Sequence, residues 1–145
     1  PYERPPLSKA WLKGEATAES LALRPAEFYD TAQIALRLNT SVTGIDRTAK
    51  TVSLHTGETV PYDYLILALG ARARRLPIPG MELGGVLELR TAAHADQLKA
   101  VLGPGKRLAV VGGGYIGLEA AASARGTPCT PTGASIRGCS TLICG

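Results

Sequence analysis

Gly112, Gly114 and Gly117 are spaced as G-x-G-x-x-G, and that spacing suits a tight backbone turn against a pyrophosphate. The first glycine permits the turn, the second lets phosphates approach the backbone, and the third lets a helix lie close to its strand. A helix starting there offers free N–H groups and a partial positive charge to an anion. The motif by itself is weak, so its context decides. Residues 108–111 are four apolar residues in a row, as a strand covered on both faces requires, and an Ala-rich stretch follows the glycines. The other residues that could do chemistry are fewer. Lys9 follows a proline-stiffened segment, where a held cation suits a phosphate or a flavin edge; as an isolated lysine it reads equally well as a solvated charge. Arg72, Arg74 and Arg75 cluster on one loop, either as a solvated patch or as a surface that steers an acidic partner. His55 and His94 have no companion at ligand or catalytic spacing. The three cysteines, all at or beyond Cys129, have no C-x-x-C pair and no nearby histidine, so no zinc site is expected.

The elements that must position these residues follow from pattern. Ser8 is expected to cap a short helix reaching Lys13 and ended by Gly14. Residues 24–29 read as a short helix with Pro25 in its first turn. Ile34, Leu36 and Leu38 alternate with Ala35 and Arg37, and Val52 and Leu54 alternate with Ser53 and His55. Val42 and Ile45 flank a turn-like Thr43-Gly44. These segments predict short antiparallel strands, with turns at 47–50 and 56–57. Residues 62–70 are strongly apolar and end in glycine, which predicts a central parallel strand, with Ala68 and Gly70 small enough for close approach to the backbone. Residues 86–89 read as another strand. Residues 91–102 read as a helix capped by Thr91, with Leu98, Val101 and Leu102 toward a core.

The 145 residues suffice for one domain or parts of two, and 45% hydrophobic content with 17 glycines suits an α/β protein. The net charge of +4 carries no long basic block and does not argue for nucleic acid. No apolar run reaches the roughly 20 residues of a membrane span, and no signal peptide is visible. Residues 1–128 hold no cysteine, which fits a reduced, cytoplasmic compartment and excludes a disulfide framework. The chain starts at Pro1 with no initiator Met, so the reading expects a fragment.

Several segments together resemble one family. RPPLSK (4–9), IDR (45–47) followed by VSLHTGE (52–58), YDYLILALGAR (62–72), LRT (89–91) and GGGYIGLEAAAS (112–123) are similar, in matching order, to the FAD-dependent ferredoxin/rubredoxin reductases. These belong to the two-dinucleotide-domain flavoproteins of the pyridine nucleotide-disulfide oxidoreductase superfamily. The resemblance implies an α/β, partial FAD/NAD(P)-binding Rossmann-like fold with a small antiparallel β segment. It implies a partial FAD domain over 1–91, lacking its N-terminal βαβ, and the start of an NAD domain over 92–125. It implies that Lys9 contacts the flavin, Val42 lies near the FAD adenine, and Arg90 contacts FAD at the domain junction. Ala68 and Gly70 belong to the flavin-side motif, where Leu69 departs from the commoner Ala-Thr-Gly form. Gly112, Gly114 and Gly117, with Tyr115 and Ile116 between them, take the NAD pyrophosphate. Tyr115 and Glu119 face the nicotinamide end, while Glu119 near the helix start also has a purely structural reading. The implied activity is electron transfer from NADH through FAD to a ferredoxin or rubredoxin. A nitrite reductase or NADH oxidase portion and a non-enzymatic flavoprotein are the alternatives. The missing redox cysteines favour an external iron–sulfur acceptor. Without the first βαβ, the chain alone is expected to retain little FAD.

The tail, 126–145, departs from that pattern. It lacks Asp and Glu where a ribose-binding carboxylate is due, and it shows no clear period. It is therefore expected to be an irregular or disordered tail, read out of frame or otherwise not native to the fold. Read one base later, codons of Cys129 to Ser135 can restore a Val-x-x-x-Glu-Arg pattern. As written, Ser135 and Arg137 fall near the ribose position, and Arg137 would suit an NADP-type phosphate.

Overall fold

β-Branched residues between turn formers account for the first sheet, and short, largely apolar runs linked by helical crossovers enter the second. The computed structural model describes residues 1–73, 75–126, 130–131 and 141–144. Its elements run from a 3-10 turn (Pro5–Ser8) through α1 (Ala10–Lys13), a second 3-10 turn (Glu19–Leu21) and α2 (Ala26–Thr31) to the strands β1 (Val42–Asp46), β2 (Thr51–Leu54) and β3 (Thr59–Pro61). β4 (Val86–Glu88), α3 (Ala92–Val101), β5 (Arg107–Val111), α4 (Tyr115–Gly126), β6 (Thr130–Pro131) and β7 (Thr141–Cys144) follow. Packing divides the chain into two units, Pro1–Arg24 with Ala71–Gly145, and Pro25–Gly70. No helix among the described residues is long and apolar enough to cross a membrane.

The Pro25–Gly70 unit holds α2 and an antiparallel sheet in the order β1-β2-β3. Asp46 Oδ1 accepts from the amides of Thr48 and Ala49, each at 2.8 Å, and Lys50 takes a positive φ of 52°; together they close the expected turn. β1 runs through Thr43-Gly44, where a turn was expected, and absorbs the break as a register shift between Val42 and Gly44. His55 Nδ1 accepts from the Ser41 amide at 3.1 Å, so this histidine stitches the loop before β1 to the turn after β2.

Two strand expectations in this unit fail for one reason. Residues 34–38 form no strand; Ile34, Leu36 and Leu38 are exposed, and Gln33 and Asn39, both with φ near 54°, bend the chain at either side. Residues 62–70 also join no sheet, and Tyr64, Ile66 and Leu69 are 93%, 88% and 86% exposed. Apolar alternation makes a strand only where another strand supplies its hydrogen bonds, and among the described residues none pairs with either segment.

The other unit carries the site. Its sheet has the order β4-β7-β5-β6, with all three pairings parallel. The described parts of the tail are thus strands rather than irregular chain. Thr141-Leu142-Ile143-Cys144 is a short β-prone apolar run, and a strand between two parallel neighbours needs no alternating period. Residues 127–129, 132–140 and 145 lie outside the described residues, and with them Cys129, Ser135 and Arg137 and the question of the ribose carboxylate.

α3 begins as its sequence asks: Thr91 Oγ1 accepts from the His94 amide at 3.3 Å, and the Tyr2 hydroxyl accepts from the Ala92 amide at 3.2 Å. It buries Ala95 and Leu98 against Leu7, Leu12, Leu89 and Leu108. Burying a leucine contributes about 1.5–3 kcal/mol, so this cluster anchors the N-terminal segment to the sheet. α4 joins it through Ala120 and Ala124, both fully buried.

The close approach of α4 to β5 depends on Gly117. A Cβ there would stand 2.8 Å from the Gly112 carbonyl oxygen and 2.9 Å from Val110 Cγ1, whereas one at Gly114 would meet nothing within 4 Å. Gly117→Ala is therefore expected to cost about 1–3 kcal/mol through overpacking, while Gly114→Ala leaves stability nearly unchanged. Denaturant unfolding of the two variants checks this; equal destabilisation would contradict it.

Candidate functional site

Two short stretches far apart in sequence form the site. The first is the proline-rich start, where Pro5–Ser8 winds as a 3-10 turn and Lys9 breaks it with φ −124° and ψ −107° before α1 begins. The second is α4, which leaves the glycine turn at Tyr115. Gly112 has φ 108°, a conformation that favours glycine and makes the turn possible.

Ser8 and Lys9 grip one carboxylate. The Ser8 hydroxyl donates to Glu119 Oε2 at 2.6 Å, and Lys9 Nζ lies 3.0 Å from Glu119 Oε1. Ser8 does not cap α1: it ends the 3-10 turn, and Lys9 holds the N-cap position of the helix. From the next turn of α4, the Ser123 hydroxyl donates to the Ser8 carbonyl at 2.7 Å, and both serines are buried. The Ser8 hydrogen bond, then those of Lys9 and the nearby positive charge, hold the Glu119 carboxyl below its usual range, while partial burial opposes them. Because the folded value is depressed, the contribution of the pair is present at neutral pH. It is lost only as pH falls through that lowered value. The side chains are 54% and 32% exposed, so water screens the attraction.

Beside this pair lies a cavity of about 360 Å³ walled by Arg4, Pro5, Leu7, Ser8, Lys9, Leu89, Arg90, Tyr115, Ile116 and Glu119. That volume is in the usual range of small-molecule sites, about 300–1,000 Å³. Three cations, Arg4, Lys9 and Arg90, face one carboxylate, so the net field favours an anion. Arg90 Nε donates to the Ala71 carbonyl at 2.5 Å, which fixes its side chain where the chain leaves β4. Tyr115 is 87% exposed at the start of α4, available to stack on a flat ring.

Of the residues singled out from sequence, the cavity brings together Lys9, Arg90, Tyr115, Ile116 and Glu119. Gly112 and Gly114 form the turn leading into α4, and Gly117 lies in its first turn. Val42, at the start of β1, and Ala68 and Gly70, after β3, belong to the other unit. Arg72 and Arg75 are exposed, and Arg75 Nε lies 3.7 Å from Glu88 Oε1; Arg74 lies outside the described residues. Sequence reasoning missed Arg4, Ser8 as a carboxylate partner, and Ser123. Ser123 did leave one signal: it stands four residues after Glu119, on the same helix face.

The glycine turn leaves room for a pyrophosphate: the third glycine is closed by its own fold, whereas the second opens on free space at the start of a helix.

The sequence profile of the pyridine nucleotide-disulphide oxidoreductases matches residues 1–132. A probable ferredoxin reductase from Castellaniella defragrans is 53% identical over 126 residues, which are 87% of this chain and 31% of that protein. Rhodocoxin reductase from Rhodococcus erythropolis is 50% identical over 125 residues, 86% of this chain and 29% of that protein. The crystal structure of the covalent putidaredoxin reductase–putidaredoxin complex contains a chain similar to this one, with a TM-score of 0.81 and 43% identity, over 90% of this chain and 33% of that one. The chain spans about a third of the length of these relatives. Matched by that profile from Pro1 to beyond the end of α4, the chain belongs to the pyridine nucleotide-disulphide oxidoreductase family.

Proposed function

We propose that this chain is part of an NADH-dependent FAD oxidoreductase that passes electrons to a ferredoxin or rubredoxin. The observation that carries the reading is the shared cavity: the segment ending in Lys9 and the helix that follows the glycine turn wall one site. A reductase of this kind needs its two dinucleotides to meet at such a junction. Bound FAD supplies the redox chemistry, accepting a hydride and releasing single electrons. The chain supplies binding and orientation.

In this reading residues 1–91 are the FAD side and 92–125 begin the NAD side. Lys9 and Arg90 attract the flavin cofactor, while Val42, Ala68 and Gly70 keep the cofactor-binding roles that the family resemblance implies for them. Gly112 and Gly114 admit the NADH pyrophosphate to the α4 N-terminus, and Gly117 keeps that helix in place. Tyr115 and Ile116 border the nicotinamide end, and Glu119 holds the Lys9 ammonium at the cavity wall. The relatives named as ferredoxin, rhodocoxin and rubredoxin reductases support a small iron–sulfur protein as acceptor.

The test uses the full-length flavoprotein that contains this chain. NADH is expected to bleach its flavin, and the reduced protein to reduce a rubredoxin or a ferredoxin. Gly114→Val, which fills the open space at the turn, should raise the NADH KM about tenfold or more without changing bound flavin. A wild-type protein that ignores NADH, or an unaltered KM in the variant, would overturn the reading.

Arg72 offers the cleaner test of acceptor steering, because reversing Arg75 would also set two carboxylates together at Glu88. Arg72→Glu is expected to slow acceptor reduction and flatten its dependence on ionic strength. Reduction of a small artificial acceptor should stay normal. Equal slowing with both acceptors would mark Arg72 as structural.

A further inference from the structure

Ser8 is held at three points. Its hydroxyl donates to Glu119, its carbonyl accepts from Ser123, and the following amide, that of Lys9, donates to the Pro6 carbonyl at 3.0 Å. The Ser8 carbonyl and the Lys9 amide belong to one rigid peptide plane. That plane is therefore fixed from both edges, by the 3-10 turn on one side and by Ser123 on the other. The carbonyl closes the 3-10 turn and has no partner within it, so the buried Ser123 hydroxyl is its means of satisfaction. Glu119 and Ser123 stand four residues apart, so one face of α4 holds both the side chain and the main chain of Ser8.

We propose that Ser123 is a positioning residue. By fixing the Ser8–Lys9 peptide it sets the grip of Ser8 and Lys9 on Glu119, in the cavity that the proposed function assigns to hydride transfer. Ser123 does not line the cavity; it acts through Ser8. Without its hydrogen bond, the peptide plane is held only by the Pro6 contact. It can then rotate, and the Ser8 hydroxyl and the Lys9 ammonium leave the carboxylate together. The charged groups facing Glu119 are Lys9 beside it and Arg4 and Arg90 on the cavity wall, with Tyr115 one turn earlier on its own helix.

Two variants separate hydrogen bonding from packing. Ser123→Ala removes the donor and leaves a small void, whereas Ser123→Cys keeps the volume but offers only a weak S–H donor. Both are made in the full-length holoenzyme. Carbon-13 NMR of labelled glutamate carboxyls, with Glu119 assigned by Glu119→Gln, reads the site independently of turnover. Wild type should titrate below the usual carboxylate range, and both variants should move up toward it. Flavin reduction by NADH should slow about tenfold, the size of losing one hydrogen bond, with the NADH KM unchanged. Wild-type titration and rate in Ser123→Ala overturn the proposal, even if its melting temperature falls. Wild-type behaviour in Ser123→Cys, with Ser123→Ala altered or unfolded, also overturns it, because the role is then packing. Failure of the wild-type flavin to accept electrons from NADH overturns the functional reading alone, and the Glu119 titration still decides whether Ser123 holds the grip.

Discussion

Everything at the site depends on how near α4 lies to β5, and one missing methyl group sets that distance. Gly117 lets the helix backbone settle on the Gly112 carbonyl and the Val110 side chain. Ala120 and Ala124, the small buried residues further along, continue the same close approach. Once α4 lies there, the direction of Glu119 and Ser123 follows from the helical repeat, and both point to the segment around Ser8. A larger residue at Gly117 would lift the helix and carry its carboxylate and hydroxyl away from their partners. The glycine spacing thus serves packing at Gly117, while Gly114 leaves open space at the start of the helix.

The balance of charge is the second constraint. Three cations and one carboxylate share a cavity wall. The carboxylate is spoken for by Ser8 and Lys9, while Arg90 is braced against a backbone carbonyl. Such an arrangement holds cations in place before any anion arrives, so little reorganisation remains to be done on binding. The same contacts, the Ser8 hydrogen bond first and Lys9 after it, hold the Glu119 carboxyl below its usual range.

Local signals in the sequence were sufficient where the structure is local. The Thr91 cap, the buried Leu98, the turns after β1 and β2 and the strand–glycine–helix unit all depend on residues within a few positions of one another. The failures involve partners that sequence spacing cannot reveal. Residues 34–38 and 62–70 carry strand composition but find no neighbouring strand among the described residues. Ser8 has the composition of a cap, but the N-cap position falls one residue later, at Lys9, and the Ser8 hydroxyl donates to a carboxylate 111 residues away. Residues 141–144 lack a period because a strand between two parallel neighbours needs none. Of the cavity wall, Lys9, Arg90, Tyr115, Ile116 and Glu119 are residues the sequence singles out, whereas the serine contacts to Glu119 and to Ser8 are not.

The unpaired stretch at 62–70 has a consequence for handling the chain in solution. Residues 64–69 are an uncharged run of Tyr, Leu, Ile and Ala without proline, and most of its side chains face water. Such a run has the makeup of an adhesive β segment: its amides and carbonyls, which join no strand among the described residues, can pair with the same stretch of another molecule. Concentration therefore acts on this chain through a segment that belongs to the unit without the cavity. Crowded copies would meet first through 64–69, giving self-association that rises with dose and that detergents or a charged substitution at Ile66 would suppress.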